Sequence, residues 1–188
     1  MERQRIFVAV DLPDAVREGL AEWGGRELVD PALRPVPPES LHLTMVFLGL
    51  REAAEVREIA DVVRRSGGAA PPMKLEDPVS LPRRRRASLF ALPTPSPAVS
   101  GLQEGLEDRL AAAGLHEPEE RDFWPHVTVA RVRAEGRGSR RPAPVLRRPG
   151  DLSTELKKPF LGVRLTLYRS ELQPRGARYV PLAQVELS

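Results

Sequence analysis

His42-Leu43-Thr44 and His126-Val127-Thr128 carry the clearest chemical potential in this chain. Each sets an imidazole and a hydroxyl two positions apart. Side chains alternate along a β-strand, so residues i and i+2 share a face. In strands, His42 and Thr44 would face one way, with Leu41, Leu43 and Met45 facing the other. His126 and Thr128 would likewise lie opposite Val127 and Val129. Histidine can give or take a proton near neutral pH. Two imidazoles on opposite sides of one phosphorus, one neutral and one protonated, suit in-line displacement: one takes a proton from water, the other protonates the departing oxygen. Each transfer contributes roughly 10²–10⁴-fold in rate. Threonine hydroxyls can donate to the non-bridging oxygens, at about 1.5–3 kcal/mol for a hydrogen bond to a charged group. One such motif is weak evidence, because threonine favours strands anyway. Two in matching contexts mark a functional site, although the motifs alone leave open which histidine is the acid and which the base.

Composition narrows the remaining chemistry. The sequence shows no clustered Asp, Glu and His set resembling a metal site, and neither a metal nor another cofactor is expected. The absence of cysteine excludes disulfides, a catalytic thiol and cysteine-based zinc sites, and it suits the cytoplasm. No apolar run is long enough to cross a bilayer. Met1-Glu2-Arg3-Gln4-Arg5 leads into a strand-like segment rather than a signal-peptide core. The expectation is a soluble, unprocessed, cytoplasmic monomer. The formal charge is +3, but its distribution is uneven. Arginines concentrate at Arg83–Arg86 and between Arg131 and Arg148, where Glu135 is the only acidic residue. Such a surface attracts phosphate or nucleic acid, or else is merely solvated loop.

The elements that must position the motifs follow from periodicity. Arg5–Val10 is β-branched and apolar, as in a buried strand. Asp11 could cap the following helix, which has Pro13 in its first turn and runs to about Val29. Pro31–Pro38 reads as a connection. Leu41–Leu48 alternates as a strand closed by Gly49. Glu52–Arg65 has Val56, Ile59, Ala60 and Val63 at helical spacing, ended by Gly67-Gly68. Met73–Val79 and Ala87–Leu92 read as strands around the basic turn. A helix starts near Ser96 and carries Val99, Leu102, Leu106 and Leu110 on one face, ending at Gly114. Phe123–Val132 holds the second motif. Gly136–Gly150 reads as a flexible loop, and Phe160–Tyr168 and Tyr179–Leu187 as strands joined around Pro174-Arg175-Gly176. Helix then motif strand occurs twice, which suggests two pseudo-equivalent lobes sharing a cleft.

The paired motifs resemble those of the two-histidine phosphoesterase superfamily. RIFVAVDLP, PPESLHLTMVFLG, WPHVTVAR, LYRSEL and GARYVPL are similar to its RNA 2′,3′-cyclic phosphodiesterase (2′-5′ RNA ligase) family over nearly the whole length. That resemblance implies an α+β fold: a single two-lobed catalytic domain spanning 1–188, with antiparallel sheets around a central cleft and one motif strand from each lobe. It implies metal-independent opening of 2′,3′-cyclic phosphates at RNA 3′ ends or on nucleosides, leaving 2′-phosphates. It makes His126 the general base, His42 the general acid, and Thr44 and Thr128 the phosphate holders. The reverse reaction, 2′-5′ ligation, is open to the same acid–base pair. Alternatives are a related substrate, such as a 2′-5′ oligonucleotide or ADP-ribose cyclic phosphate, or a non-catalytic RNA- or nucleotide-binding module.

Other residues are more ambiguous. Ideal strand counting puts Arg131 on the face opposite His126, a solvated position, whereas the resemblance favours a phosphate or site-supporting role. Phe7 and Phe47 could form a base-stacking wall, but core packing is the stronger expectation. Trp124 and Pro125 set the entry of the second motif strand. Tyr168 and Ser170 lie in a family-like segment without an assignable role. His116, lacking a partner threonine, is expected on the surface. Arg83–Arg86 touch an RNA backbone or form only a hairpin tip.

Overall fold

The continuous apolar run of the N-terminal segment produces a strand buried on both faces. In the computed structural model, which describes residues 3–83, 85–173 and 176–188, β1 (Gln4–Asp11) is buried from Ile6 to Asp11. The helix α1 (Asp14–Glu27) follows, then β2 (Leu33–Pro35), a 3₁₀ turn at Pro38–Ser40, and β3 (His42–Arg51). Next come α2 (Ala53–Arg64), β4 (Pro72–Met73), β5 (Val79–Leu81), β6 (Leu89–Pro93), α3 (Pro97–Ala112) and β7 (His126–Val132). The chain ends with β8 (Phe160–Leu161), β9 (Arg164–Gln173) and β10 (Gly176–Glu186).

Local chemistry explains the helix boundaries. Glu52 and Glu55 make a reciprocal capping box at the start of α2. Its stripe of Val56, Ile59, Ala60 and Val63 is buried. Ser96 accepts the Val99 amide at the start of α3, and Pro97 fits the first turn, where no amide is needed. Gly114 ends that helix region with a positive φ of 69°. Asp11 does not cap α1, whose N-cap is Pro13 with no side-chain bond. Its carboxylate is buried elsewhere, as described below.

Eight strands form an antiparallel sheet with the path β10-β9-β1-β3-β7-β6-β5, and β2 lies alongside β7. Within it β10-β9-β1-β3 and β7-β6-β5 are two half-sheets. Between β3 and β7 the register has one pair, Leu43 with Val127, and β2 pairs further along β7 at Ala130–Val132. Leu43 and Val127 are fully buried within one continuous apolar core. The expected antiparallel lobes are present, each supplying one motif strand. The chain's first and last strands share a half-sheet, so the lobes interleave.

Several expected boundaries differ. The Pro31–Pro38 connection contains β2, because pairing with a distant strand supplies what local sequence does not. The strand expected over Met73–Val79 is two separate pieces, and that over Phe160–Tyr168 is broken at Gly162, whose amide bonds Pro71. The Gly136–Gly150 loop is anchored rather than free. Asp30 accepts the Leu146 and Arg147 amides at 2.8 and 2.7 Å, and Glu27 accepts that of Gly150 at 2.9 Å. Pro142 also bridges to Ala134, just before the loop. Met1, Glu2, Arg84 and the Pro174-Arg175 part of the expected turn lie outside the described residues.

Candidate active site

The Leu43–Val127 pair builds the site. Residues directly opposite each other in an antiparallel ladder point to the same face. The middle residues of both motifs point into the core, so their flanking residues project together from the other face. His42, Thr44, His126 and Thr128 therefore line one cleft of about 610 Å³.

His42 is half-buried. Its Nδ1–H donates to the Ser40 carbonyl at 2.7 Å, which leaves Nε2 unprotonated in the neutral ring and 3.1 Å from Thr44 Oγ1, whose hydroxyl can donate to it. Phe7 stacks on the imidazole at 4.9 Å, and Tyr179 meets it edge-on at 5.2 Å. Burial pushes His42 from 6.5 down to about 4, overcoming the Ser40 carbonyl and the Asp11 carboxylate, which favour the proton. The charges of Arg131 and His126 push it down as well. Burial thus favours the neutral form of His42 at neutral pH.

Asp11 pairs with His42 across β1 and β3 and is 3 % exposed. It accepts hydrogen bonds from Tyr168 Oη at 2.7 Å, Thr166 Oγ1 at 2.8 Å and Arg164 Nε at 2.9 Å. These come from alternate positions on β9, which ties the floor beneath His42 to that strand. Burial and the Asp11 charge raise the Tyr168 hydroxyl above its ordinary range, so it remains a donor. No local signal marked Asp11 as the anchor of that floor, because an Asp before a helical pattern looks like a cap.

His126 repeats the arrangement on the other half-sheet. Its Nδ1–H donates to the Trp124 carbonyl at 2.7 Å, two residues upstream as in the first motif. The Trp124 indole stacks on the ring at 4.4 Å. Trp124 thus orients the histidine by both its backbone and its side chain, beyond the entry-angle role expected for it.

A bulge follows each motif. On β7, Thr128 pairs with Ala91 but Ala130 pairs with Phe90, leaving Val129 as an extra residue. On β3, Thr44 pairs with Ala9 but Val46 pairs with Val8, leaving Met45 extra. An extra residue shifts the alternation by one. Arg131 therefore returns to the His126 face and lines the cleft, correcting the opposite-face count. Phe47, at the corresponding place on β3, also lines the cleft and is 64 % exposed, so it is not a core residue. Phe7 is buried at 5 % exposure, yet it also reaches the cleft and forms the wall against His42.

The cleft also holds residues that strand periodicity did not single out. Arg34 on β2 lies opposite Arg131 in the ladder, and Arg5 is at the start of β1. Ser170 and Tyr179 line the cleft from the long β9–β10 ribbon. His116 does not join the site. Its Nε2 lies 3.2 Å from Glu107, and its side chain is 7 % exposed, which corrects the surface assignment. Arg86 binds Glu135 and the Pro142 carbonyl, while Arg83 borders a separate cavity behind Trp124. Among the described residues, no group of three or more His, Cys, Asp or Glu is placed to hold a metal ion, and no helix is long and apolar enough to cross a membrane.

Comparison with known proteins points the same way. The model of the 2′-5′ RNA ligase superfamily matches residues 12–168. An Escherichia coli protein named RNA 2′,3′-cyclic phosphodiesterase is 28% identical over 187 residues, covering 100% of this chain and 98% of its own. A Thermus thermophilus protein of the same name is 30% identical over 190 residues, covering 97% and 90%. Escherichia coli LigT complexed with 3′-AMP superposes with a TM-score of 0.77 at 26% identity, covering 100% of this chain and 99% of that one. A Thermus thermophilus crystal structure gives 0.79 at 28% identity over 97% of each chain.

Proposed function

Since the chain belongs to the 2′-5′ RNA ligase superfamily, we propose that it hydrolyses 2′,3′-cyclic phosphates at RNA 3′ ends to 2′-phosphates. One observation carries this function: the Leu43–Val127 pair, which brings two imidazoles and two threonines to a single cleft. The E. coli and T. thermophilus relatives are named for that activity, and LigT holds 3′-AMP. All four motif side chains come from one chain, so a monomer working as a single two-lobed unit suffices. The cysteine-free composition suits the cytoplasm.

In this mechanism His126 Nε2 takes a proton from water as its oxygen attacks phosphorus. The P–O3′ bond breaks, and His42 Nε2–H protonates O3′, leaving a 2′-phosphate and a 3′-hydroxyl. Thr44 and Thr128 donate to the non-bridging oxygens. These roles follow the family resemblance, and the environment of His42 adds a condition. Burial favours its neutral form, so it must gain its proton as the substrate anion binds, whose negative charge favours the imidazolium against that burial and the Arg131 charge. Protonation of Nε2 also removes the acceptor facing Thr44 Oγ1, which frees that hydroxyl for the phosphate.

A substrate with sulfur in place of the bridging 3′ oxygen tests the assignment, since a thiolate leaves without a proton. His42→Ala is expected to lose at least about 10²-fold on the oxygen substrate but much less on the sulfur one, and His126→Ala to lose on both. The opposite pattern would exchange the roles, and full activity in either variant on the oxygen substrate would refute the mechanism. The activity is expected to survive EDTA, and phosphorus NMR should show a 2′-phosphate product.

A further inference from the structure

Arg34 and Arg131 face each other directly in the β2–β7 register. Like charges in that position destabilise a sheet, and nothing among the described residues offsets them. Neither guanidinium has a carboxylate or side-chain hydrogen-bond partner there. Arg51, Arg86, Arg164 and Arg169, by contrast, each bind an acidic side chain. The cleft that Arg34 and Arg131 line also contains Arg5 but, among the described residues, no Asp or Glu. The carboxylate beneath its floor, Asp11, is taken up by Arg164, Thr166 and Tyr168.

Charge counting then separates two kinds of substrate. A cyclic phosphate is a diester and carries one negative charge. Arg131, on the motif strand and close enough to lower His42, accounts for it. Arg34 is a second, separate guanidinium on β2, which takes up the edge of β7 beyond its pairing with β3. We propose, resting on the function above, that Arg34 binds a second phosphate: the 5′-phosphodiester of the same terminal nucleotide. The site is thereby built for an RNA end, or a nucleoside 5′-phosphate carrying the cyclic group, over a nucleoside 2′,3′-cyclic phosphate alone. A guanidinium fork suits a phosphate geometrically.

The test compares kcat/KM for adenosine 2′,3′-cyclic phosphate with that for its 5′-phosphorylated form. The wild-type protein should prefer the second by about ten- to hundred-fold, the range of one charge-assisted hydrogen-bonded contact, mainly through KM. That preference should weaken with salt. Arg34→Gln should reduce the ratio towards one, and Arg34→Lys should restore part of it. A wild-type ratio of one, or an equal loss on both substrates in Arg34→Gln, would overturn the second-phosphate site while leaving the cyclic phosphodiesterase function standing. If Arg34→Gln does not fold, the wild-type ratio and its salt dependence still decide. Turnover of neither substrate by the wild-type protein would overturn the function itself, and this inference with it.

Discussion

Replacing His42 with asparagine should change how the stability of this protein depends on pH. The native chain keeps His42 neutral down to about pH 4, whereas an unfolded chain protonates it near the ordinary 6.5. Between those values the unfolded state binds a proton that the native state does not. The stability from a neutral His42 is therefore fully present above about pH 6.5 and is lost as the pH falls towards 4. At ~1.4 kcal/mol per tenfold change in proton affinity, the full gap comes to about 3 kcal/mol, and the part between pH 7 and pH 4.5 to about 2 kcal/mol. These are upper values, since His42 is half-buried rather than sealed. Urea unfolding followed by tryptophan fluorescence at the two pH values gives the measurement for wild type and for His42→Asn. Carboxylates held below their usual range, such as Asp77 beside Lys157, also titrate on acidification, but they are common to both proteins and cancel. The wild type should lose up to about 2 kcal/mol more than the variant between the two pH values. An equal loss in both, or an NMR titration of the His42 ring with a midpoint near 6.5 in the empty protein, would refute the burial argument. A phosphate monoester added to the cleft should raise that midpoint.

The threonines and the anchored loop make separate predictions. Thr44→Val and Thr128→Val keep the side-chain shape and remove the donor. Each should lower kcat/KM by about ten- to hundred-fold with little change in thermal stability, read from steady-state kinetics and a melting curve. Asp30→Ala removes the acceptor of the Leu146, Arg147 and Ala32 amides. Hydrogen exchange at those amides should accelerate markedly and proteases should cut within Gly136–Gly150. Unchanged exchange would show that the loop is held by something else.

Much of the framework was legible because its causes are local. Helical spacing in Glu52–Arg65 and the Ser96 cap identify α2 and α3, since capping and amphipathic burial depend on residues three and four apart. Loop order was not legible. Gly, Pro and Arg in Gly136–Gly150 carry no periodicity, and the acceptors that fasten this segment, Glu27 and Asp30, lie more than a hundred positions earlier. Asp11 misled for a related reason: an acid before a helix has a ready local use, while its partners on β9 are distant in sequence.

Strand alternation alone determined that each His-x-Thr motif would present one imidazole and one hydroxyl on a common face, because a pleated strand leaves a two-residue spacing no other option. Whether the two faces met was a matter of pairing between chain segments far apart, seen in the Leu43–Val127 register of β3 and β7. Tertiary structure also decided everything past the motifs. Bulges at Met45 and Val129 turn Phe47 and Arg131 into the cleft, and an extra residue is defined only by the partner strand it fails to match. Arg34 became a site residue when β2 paired with β7. The proton affinity of His42 falls only when distant strands enclose it, because it responds to surrounding solvent and charge, and those neighbours exist only once the chain has folded.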